Sequence, residues 1–400
     1  MALARVTKIG VALVGPGLVG RLVLEQLTAP AVKKHFDVVA VSNSRYTVFQ
    51  EEVAGSDVTV AGLLAALPPS SETSAPPTAS TDSGCVVEQL SPGDLVAKLA
   101  HVGCRRDQHI LLLDCTASDT YPKLYADAIS SGLSVVTPNK VAFSSDETLY
   151  RGIVEAQGSS PYAGLYYFEG ACGAGLPILT TLGDLVRTGD EVTRIEAVLS
   201  GTLSYIFNQF SKAPKARSEP RTDSFSEIVR RAHRDGHTEP HPAEDLSGRD
   251  VARKLAILAR VSASGLTLPS GFVSIPTDSL IPAALADVRD PATFVADLAE
   301  YDEHFEKLRA AAAAEGRVLR YVGVLDPASG QATCGLRSYP PEHPFASLSG
   351  SHLSFAISSR RYAQSPLVVQ GPGYPVEVTA AAVVADSLRV AERFGCQITL

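Results

Sequence analysis

Residues 237–255, HTEPHPAEDLSGRDVARKL, place Glu239, Glu244, Asp245, Asp250 and Lys254 within one short span. Several carboxylates and one ammonium must therefore share a small volume. An ammonium held by a carboxylate can stabilise an oxyanion and give it a proton. Pro240 and Pro242 exclude a helix before Ala243, Ser247 or Asp245 can cap the next helix, and Gly248 loosens its entry. The spacing predicts a helix from about Gly248, with Val251, Leu255 and Leu258 facing a core and Asp250 one turn before Lys254 on another face. Taken alone, that pair reads as a solvated i,i+4 ion pair worth about 0.3–0.5 kcal/mol. The Pro-braced acidic loop upstream favours a site, with Glu244 readable as a solvated neighbour.

A second chemical signature opens the chain. IGVALV at 9–14 reads as a buried parallel strand, followed by GPGLVG with Gly15, Gly17 and Gly20, and then by a helix carrying Leu18, Leu22 and Val23 on one face. Strand, Gly-rich turn and helix in that order present backbone N–H groups to a pyrophosphate. The next strand, FDVVAVSNSR, ends in Ser42, Asn43, Ser44 and Arg45, where a dinucleotide fold commonly carries an acid for the adenosine ribose. With no carboxylate there and an Arg available, NADP is favoured over NAD, which stays possible; Arg45 pointing into solvent is the alternative. HILLLDCTAS and LSVVTPNK read as further strands whose carboxyl ends offer Thr116, Ser118, Asn139 and Lys140. Ligands of open α/β sheets bind beyond such ends.

From about 150 the pattern changes. A helix near 146–157, the run YAGLYYFEGACGAGLPIL, and RIEAVLSGTLSYIFNQF, a strand entering a helix at Gly201 and Thr202, begin a second domain. The helix SFSEIVRRAHRDG leads into the acidic loop. Runs at 317–325, 332–338, 351–358 and 365–370 alternate as strands of a largely antiparallel sheet. Residues 376–394 form one Ala/Val-rich helix able to pack back on the first domain. Residues 68–84 and 211–223 are polar, Pro- and Ser-containing surface loops.

Composition bounds the partners. The 400 residues are 45% hydrophobic, enough to bury a large core, and a net charge of -8 argues against nucleic acid or an anionic membrane as partner. Small molecules are the expected partners. The six cysteines form no CxxC pair and no short framework, which fits a reducing cytoplasm. The first 20 residues imitate a signal peptide, but GPG interrupts the apolar run, and no other stretch is long and apolar enough to span a bilayer.

Taken together, GPGLVG, TPNKVAF, EGACGAGLP, SGTLSYIFN, DGHTEPHPAEDLSGRDVARK and GPGYPVEVTAAAVVAD resemble homoserine dehydrogenase, in its short form without a fused aspartate kinase. The resemblance implies reversible NAD(P)-dependent reduction of L-aspartate 4-semialdehyde to L-homoserine, on the route to threonine, methionine and isoleucine. It implies a Rossmann-type doubly wound parallel sheet over residues 1–150, completed by 371–400, with a second α/β catalytic and dimerisation domain over 151–370. It also implies a homodimer. Lys254 matches the family's catalytic lysine, Asp250 would orient it, and Lys140 would be a second cation at the reacting oxygen or the substrate carboxylate, with the proton donor left open between the lysines. Glu239, Asp245 and Thr202 match substrate-binding positions for an α-ammonium. The cofactor-binding set would be Gly15, Gly17, Leu18, Val19, Gly20, Arg45, Thr116, Ser118, Lys140, Gly373 and Glu377. A sodium-like cation would rest on main-chain carbonyls of Glu169, Cys172, Ala174 and Leu176; a Gly-rich turn without an ion is the alternative. The chain stops just past its last helix, so no C-terminal effector domain is expected. Two other readings stay open on the residues: a related NADP-dependent oxidoreductase acting on another amino-acid aldehyde, and a catalytically silent NADP-binding regulator.

Overall fold

The computed structural model describes residues 8–50, 59–71, 84–212, 223–396 and 398. Most of the polar loops expected at 68–84 and 211–223 falls outside the described residues, as do the first seven residues of the apolar N-terminus. Two compact units account for the chain. One takes the residues up to Ala142, Thr148–Gly175 and those from Val376 onward; the other takes Phe143–Glu147 and Leu176–Pro375.

The first unit is built on a seven-stranded sheet in the order β4-β3-β2-β1-β5-β6-β7. Its strands are β1 (Ile9–Val14), β2 (Phe36–Ser42), β3 (Thr47–Gln50), β4 (Cys85–Glu88), β5 (Ile110–Asp114), β6 (Ser134–Val136) and β7 (Tyr166–Tyr167). From β2 through β1, β5 and β6 to β7 the pairing is parallel, whereas β3 and β4 join antiparallel at one edge. Every residue of β1 and β5 is buried, the signature of strands covered on both faces. The antiparallel pair escapes sequence periodicity because four-residue strands carry too little alternation to register. The helix Val376–Arg393 packs against the helix Leu18–Leu27, and Ala380, Val383, Val390 and Ala391 join Leu13, Val23 and Leu113 in the core.

The second unit holds a wholly antiparallel five-stranded sheet in the order β10-β9-β8-β11-β12. Its strands are β8 (Val192–Val198), β9 (Val318–Asp326), β10 (Gln331–Tyr339), β11 (His352–Ser359) and β12 (Leu367–Pro372). Arg320 on β9 is 1% exposed, and among the described residues no carboxylate pairs with it. Its guanidinium donates instead to the carbonyls of Phe345, Ala346, Leu319, Ser211 and, at 3.4 Å, Phe207. Phe207 and Ser211 end the helix Gly201–Phe210, whose carbonyl terminus carries partial negative charge. Burial still pulls the Arg320 pKa down to about 10.

Candidate active site

In the first unit, β1 delivers the chain to Gly15, which sits at φ +81°, where a Cβ would lie 2.7 Å from the Thr116 methyl. A Cβ on Gly20 would lie 2.3 Å from the Gly15 carbonyl oxygen, so this glycine lets the Leu18–Leu27 helix press on the turn. Gly17, the N-cap of that helix, has no side-chain cap and nothing within 4 Å of where its Cβ would be. Bare N–H groups beside open space are what a phosphate needs.

Gly15, Gly17, Thr116 and Ser118 line one cavity of about 850 Å³, together with Arg21, Asn43, Ser44, Tyr121 and Pro68. Leu18 and Val19 begin the helix at its edge, with Leu18 67% exposed. No carboxylate lines the cavity among the described residues. Asn43 builds the turn after β2. Its Oδ1 accepts the N–H groups of Arg45 and Tyr46 at 2.9 and 2.8 Å, and its Nδ2 donates to the Pro68 carbonyl at 2.7 Å. Arg45 is half-buried on that turn and is not among the lining residues; the arginine that lines the cavity is Arg21, whose Nε donates to the Pro16 carbonyl at 3.1 Å. Lys140 and Glu377 are not lining residues either, and Gly373 belongs to the other unit. Burial pushes the Tyr121 hydroxyl up to about 12, so it remains a donor at the cavity wall.

In the second unit, the helix Arg249–Val261 buries Val251, Leu255 and Leu258, as its periodicity demands, and leaves Asp250 and Lys254 on another side. Lys254 Nζ lies 2.7 Å from Asp250 Oδ2 and donates to the Leu199 carbonyl at 2.7 Å. The Lys254 side chain is 14% exposed, so this is a fixed, half-desolvated ammonium rather than a solvated surface pair. The residue just after β8 supplies that carbonyl, which spacing alone does not reveal.

The entry to the helix differs from the expected loose glycine. Gly248 is the N-cap at φ +72°, and a Cβ there would lie 2.0 Å from the Tyr321 hydroxyl, so only glycine fits. Neither Ser247 nor Asp245 caps with its side chain in the expected way. Ser247 Oγ accepts the Arg249 N–H at 3.2 Å, and the Asp245 carboxylate turns back to accept the Glu239 N–H at 2.8 Å. A five-residue helix, Pro242–Leu246, with Pro242 in its first turn, precedes the bend.

Asp245 is the perturbed carboxyl of the loop. Burial raises its pKa to about 6, aided by the charges of Glu239 and Asp250 and opposed by the Glu239 N–H and the Thr202 hydroxyl. Thr202 donates to the His237 carbonyl at 2.7 Å, which ties the first turn of the Gly201–Phe210 helix to the acidic loop. Glu239, Thr202 and Asp250 thus all act on Asp245, whereas Glu244 contributes nothing to its shift; Glu239 and Glu244 are both exposed.

The glycine-rich segment after β7 forms a short 3-10 turn, Glu169–Ala171, followed by two left-handed residues, Gly173 at φ 92° and Ala174 at φ 56°. A non-glycine residue held left-handed is strained, and such a kink redirects successive carbonyls. The Glu169 and Leu176 carbonyls accept the N–H groups of Cys172 and Ile178 at 3.2 and 2.8 Å.

Family models for homoserine dehydrogenase match residues 177–388, and for its NAD-binding domain residues 15–162. Homoserine dehydrogenase of Saccharomyces cerevisiae is 36% identical over 385 residues, covering 96% of this chain and 98% of the yeast protein. A bifunctional aspartokinase/homoserine dehydrogenase of Zea mays is 40% identical over 97% of this chain, which spans 39% of the maize protein. A Candida auris crystal structure of unknown function aligns with TM-score 0.83 at 35% identity, covering 97% and 99% of the two chains. A hyperthermophilic archaeal homoserine dehydrogenase in complex with NADPH shares the fold, with TM-score 0.64 at 20% identity, over 96% of this chain and 98% of its own.

Proposed function

Because the chain belongs to the homoserine dehydrogenase family, we propose that it interconverts L-aspartate 4-semialdehyde and L-homoserine with a nicotinamide cofactor. A bound nicotinamide supplies or accepts the hydride. Lys254 stabilises the alkoxide that forms at the former carbonyl oxygen and protonates it; Asp250 and the Leu199 carbonyl keep the ammonium in place. Asp245, as carboxylate, and Glu239 hold the substrate α-ammonium, with Thr202 fixing the loop. Lys140 is assigned a second positive charge for the substrate.

The Gly15–Gly17 turn takes the pyrophosphate, with Leu18, Val19 and Gly20 shaping the helix start and Thr116 and Ser118 the nicotinamide end. The lack of a lining carboxylate among the described residues, with Arg21 at the cavity and Arg45 on the adjoining turn, supports NADP as the preferred form. Gly373 and Glu377 are kept in the cofactor set on the resemblance alone. The double left-handed kink supports a sodium-like monovalent cation on the carbonyls of Glu169, Cys172, Ala174 and Leu176, with a structural role. We also propose a cytoplasmic homodimer. The six free cysteines support a reducing location, and no helix among the described residues is long and apolar enough to cross a membrane.

The observation that carries the reading is the Lys254 ammonium, pinned between a carboxylate and a main-chain carbonyl beside a desolvated Asp245. Purified protein should reduce NADP, followed by nicotinamide absorbance, when L-homoserine is added, and more slowly NAD. Lys254→Ala should lose roughly 10²-fold or more in turnover while NADP binding, followed by fluorescence, is retained. Unchanged turnover would remove Lys254 from the mechanism, and no reduction by the unsubstituted protein would remove this substrate.

A further inference from the structure

Asp114 ends β5 with none of its surface exposed, and it takes no part in the chemistry assigned to Lys254 or Asp245. Burial pushes its carboxyl upward, and the donors gathered around it oppose that. Its Oδ1 accepts the Thr116 N–H at 2.8 Å, and its Oδ2 accepts the Tyr125 hydroxyl and, at 3.3 Å, the Asn139 side-chain amide. The Asp114 carbonyl accepts the Thr137 hydroxyl at 2.6 Å. Asn139 extends the network. Its Nδ2 donates to the Ser118 carbonyl at 2.8 Å, its Oδ1 accepts the Val141 N–H at 3.0 Å, and its own N–H donates to Thr137 Oγ1 at 2.9 Å. Lys140 therefore stands between two residues whose backbones are tied to the end of β5.

We propose that Asp114 is a positioning residue for the hydride transfer: through Thr116 and Asn139 it joins the ends of β5 and β6 into one rigid edge. Ser118 and Lys140 then keep a fixed separation relative to the cofactor. Only a carboxylate does this, because its two oxygens take three donors and offer none. An asparagine would turn its NH₂ group toward either the Thr116 N–H or the Asn139 side-chain amide and, either way, leave two buried donors facing each other. The proposal rests on reading the Gly15–Gly17 cavity as the nicotinamide-cofactor site.

The test compares Asp114→Asn and Asn139→Ala with the unsubstituted enzyme for kcat with L-homoserine, NADPH affinity by fluorescence, and Tm. Positioning requires kcat to fall roughly 10- to 100-fold in both variants, as small misplacements of reacting groups do, while NADPH affinity changes less than about threefold. A normal kcat at saturation, whether with a lowered Tm or with weakened NADPH binding, would overturn the proposal. If Asp114→Asn does not fold, Asn139→Ala decides on the same criteria, since it cuts the link from Asp114 to Ser118 and Lys140, with the Val141 N–H bond, and leaves the buried carboxylate in place. A substituted enzyme that fails while the parent turns over homoserine bears on Asp114 alone. A parent that does not turn over homoserine bears on the functional reading itself.

Discussion

At the scale of single residues, Asp245 sets the pH behaviour. Its carboxyl, raised to about 6 by burial, is charged above that pH and neutral below it. Only the charged form attracts the substrate ammonium, so KM for L-homoserine should climb roughly tenfold per pH unit below 6. In Asp245→Asn it should be high at every pH. A parent KM that stays flat from pH 8 to pH 5 would rule out Asp245 as the ammonium partner. The same shift acts oppositely on stability. A folded-state pKa above the unfolded one contributes stability that is complete below the unfolded value and is lost as pH rises through 6. Asp245→Asn should therefore melt above the parent at pH 8, with the difference closing toward pH 4, the usual exchange of stability for a charged site.

At the scale of elements, the glycines after β1 separate ligand binding from folding. Gly17 faces open space, so Gly17→Ala should keep its Tm while NADP affinity falls more than about tenfold, because a methyl would stand where the pyrophosphate must approach. Gly20→Ala sets a Cβ against the Gly15 carbonyl, and its Tm should drop. Equal Tm losses in both variants would mean that the Gly17 amides serve only the turn.

Sequence periodicity reads elements of this kind well. Buried strands such as β1 and β5, the strands β8 to β12 and the helix Val376–Arg393 follow from apolar spacing that no competing pattern disturbs. It reads contacts across the fold poorly. Gly248 looks like a flexible joint in the sequence, yet the hydroxyl of Tyr321, far along the chain on β9, is what demands glycine there. Asp114 looks like the polar end of a hydrophobic strand, because its partners Tyr125 and Asn139 come from later elements. The Leu199 carbonyl on Lys254 is invisible for a simpler reason: every residue type carries one.

At the scale of the whole molecule, two expectations depend on assembly and ions. Light scattering should return a mass about twice the 42.1 kDa of the chain, and a mass near one chain would remove the homodimer. Exchanging sodium for a bulky organic cation at constant ionic strength should lower Tm, because the carbonyls around the Ala174 kink would lose a ligand that binds only the folded state. An unchanged melt would mean that the kink is a turn without an ion.

Arg320 carries a different consequence, for how this sequence can drift. An ion pair inside a protein can be exchanged by paired substitutions, since acid and base can be swapped or replaced together. Arg320 is held by main-chain oxygens of Phe207, Ser211, Leu319, Phe345 and Ala346, which any amino acid would supply equally. Its neighbours can thus change identity without breaking a single one of its bonds, whereas position 320 has no compensating partner among the described residues. A lysine there, with three donors on one nitrogen, could not reach both groups of carbonyls at once.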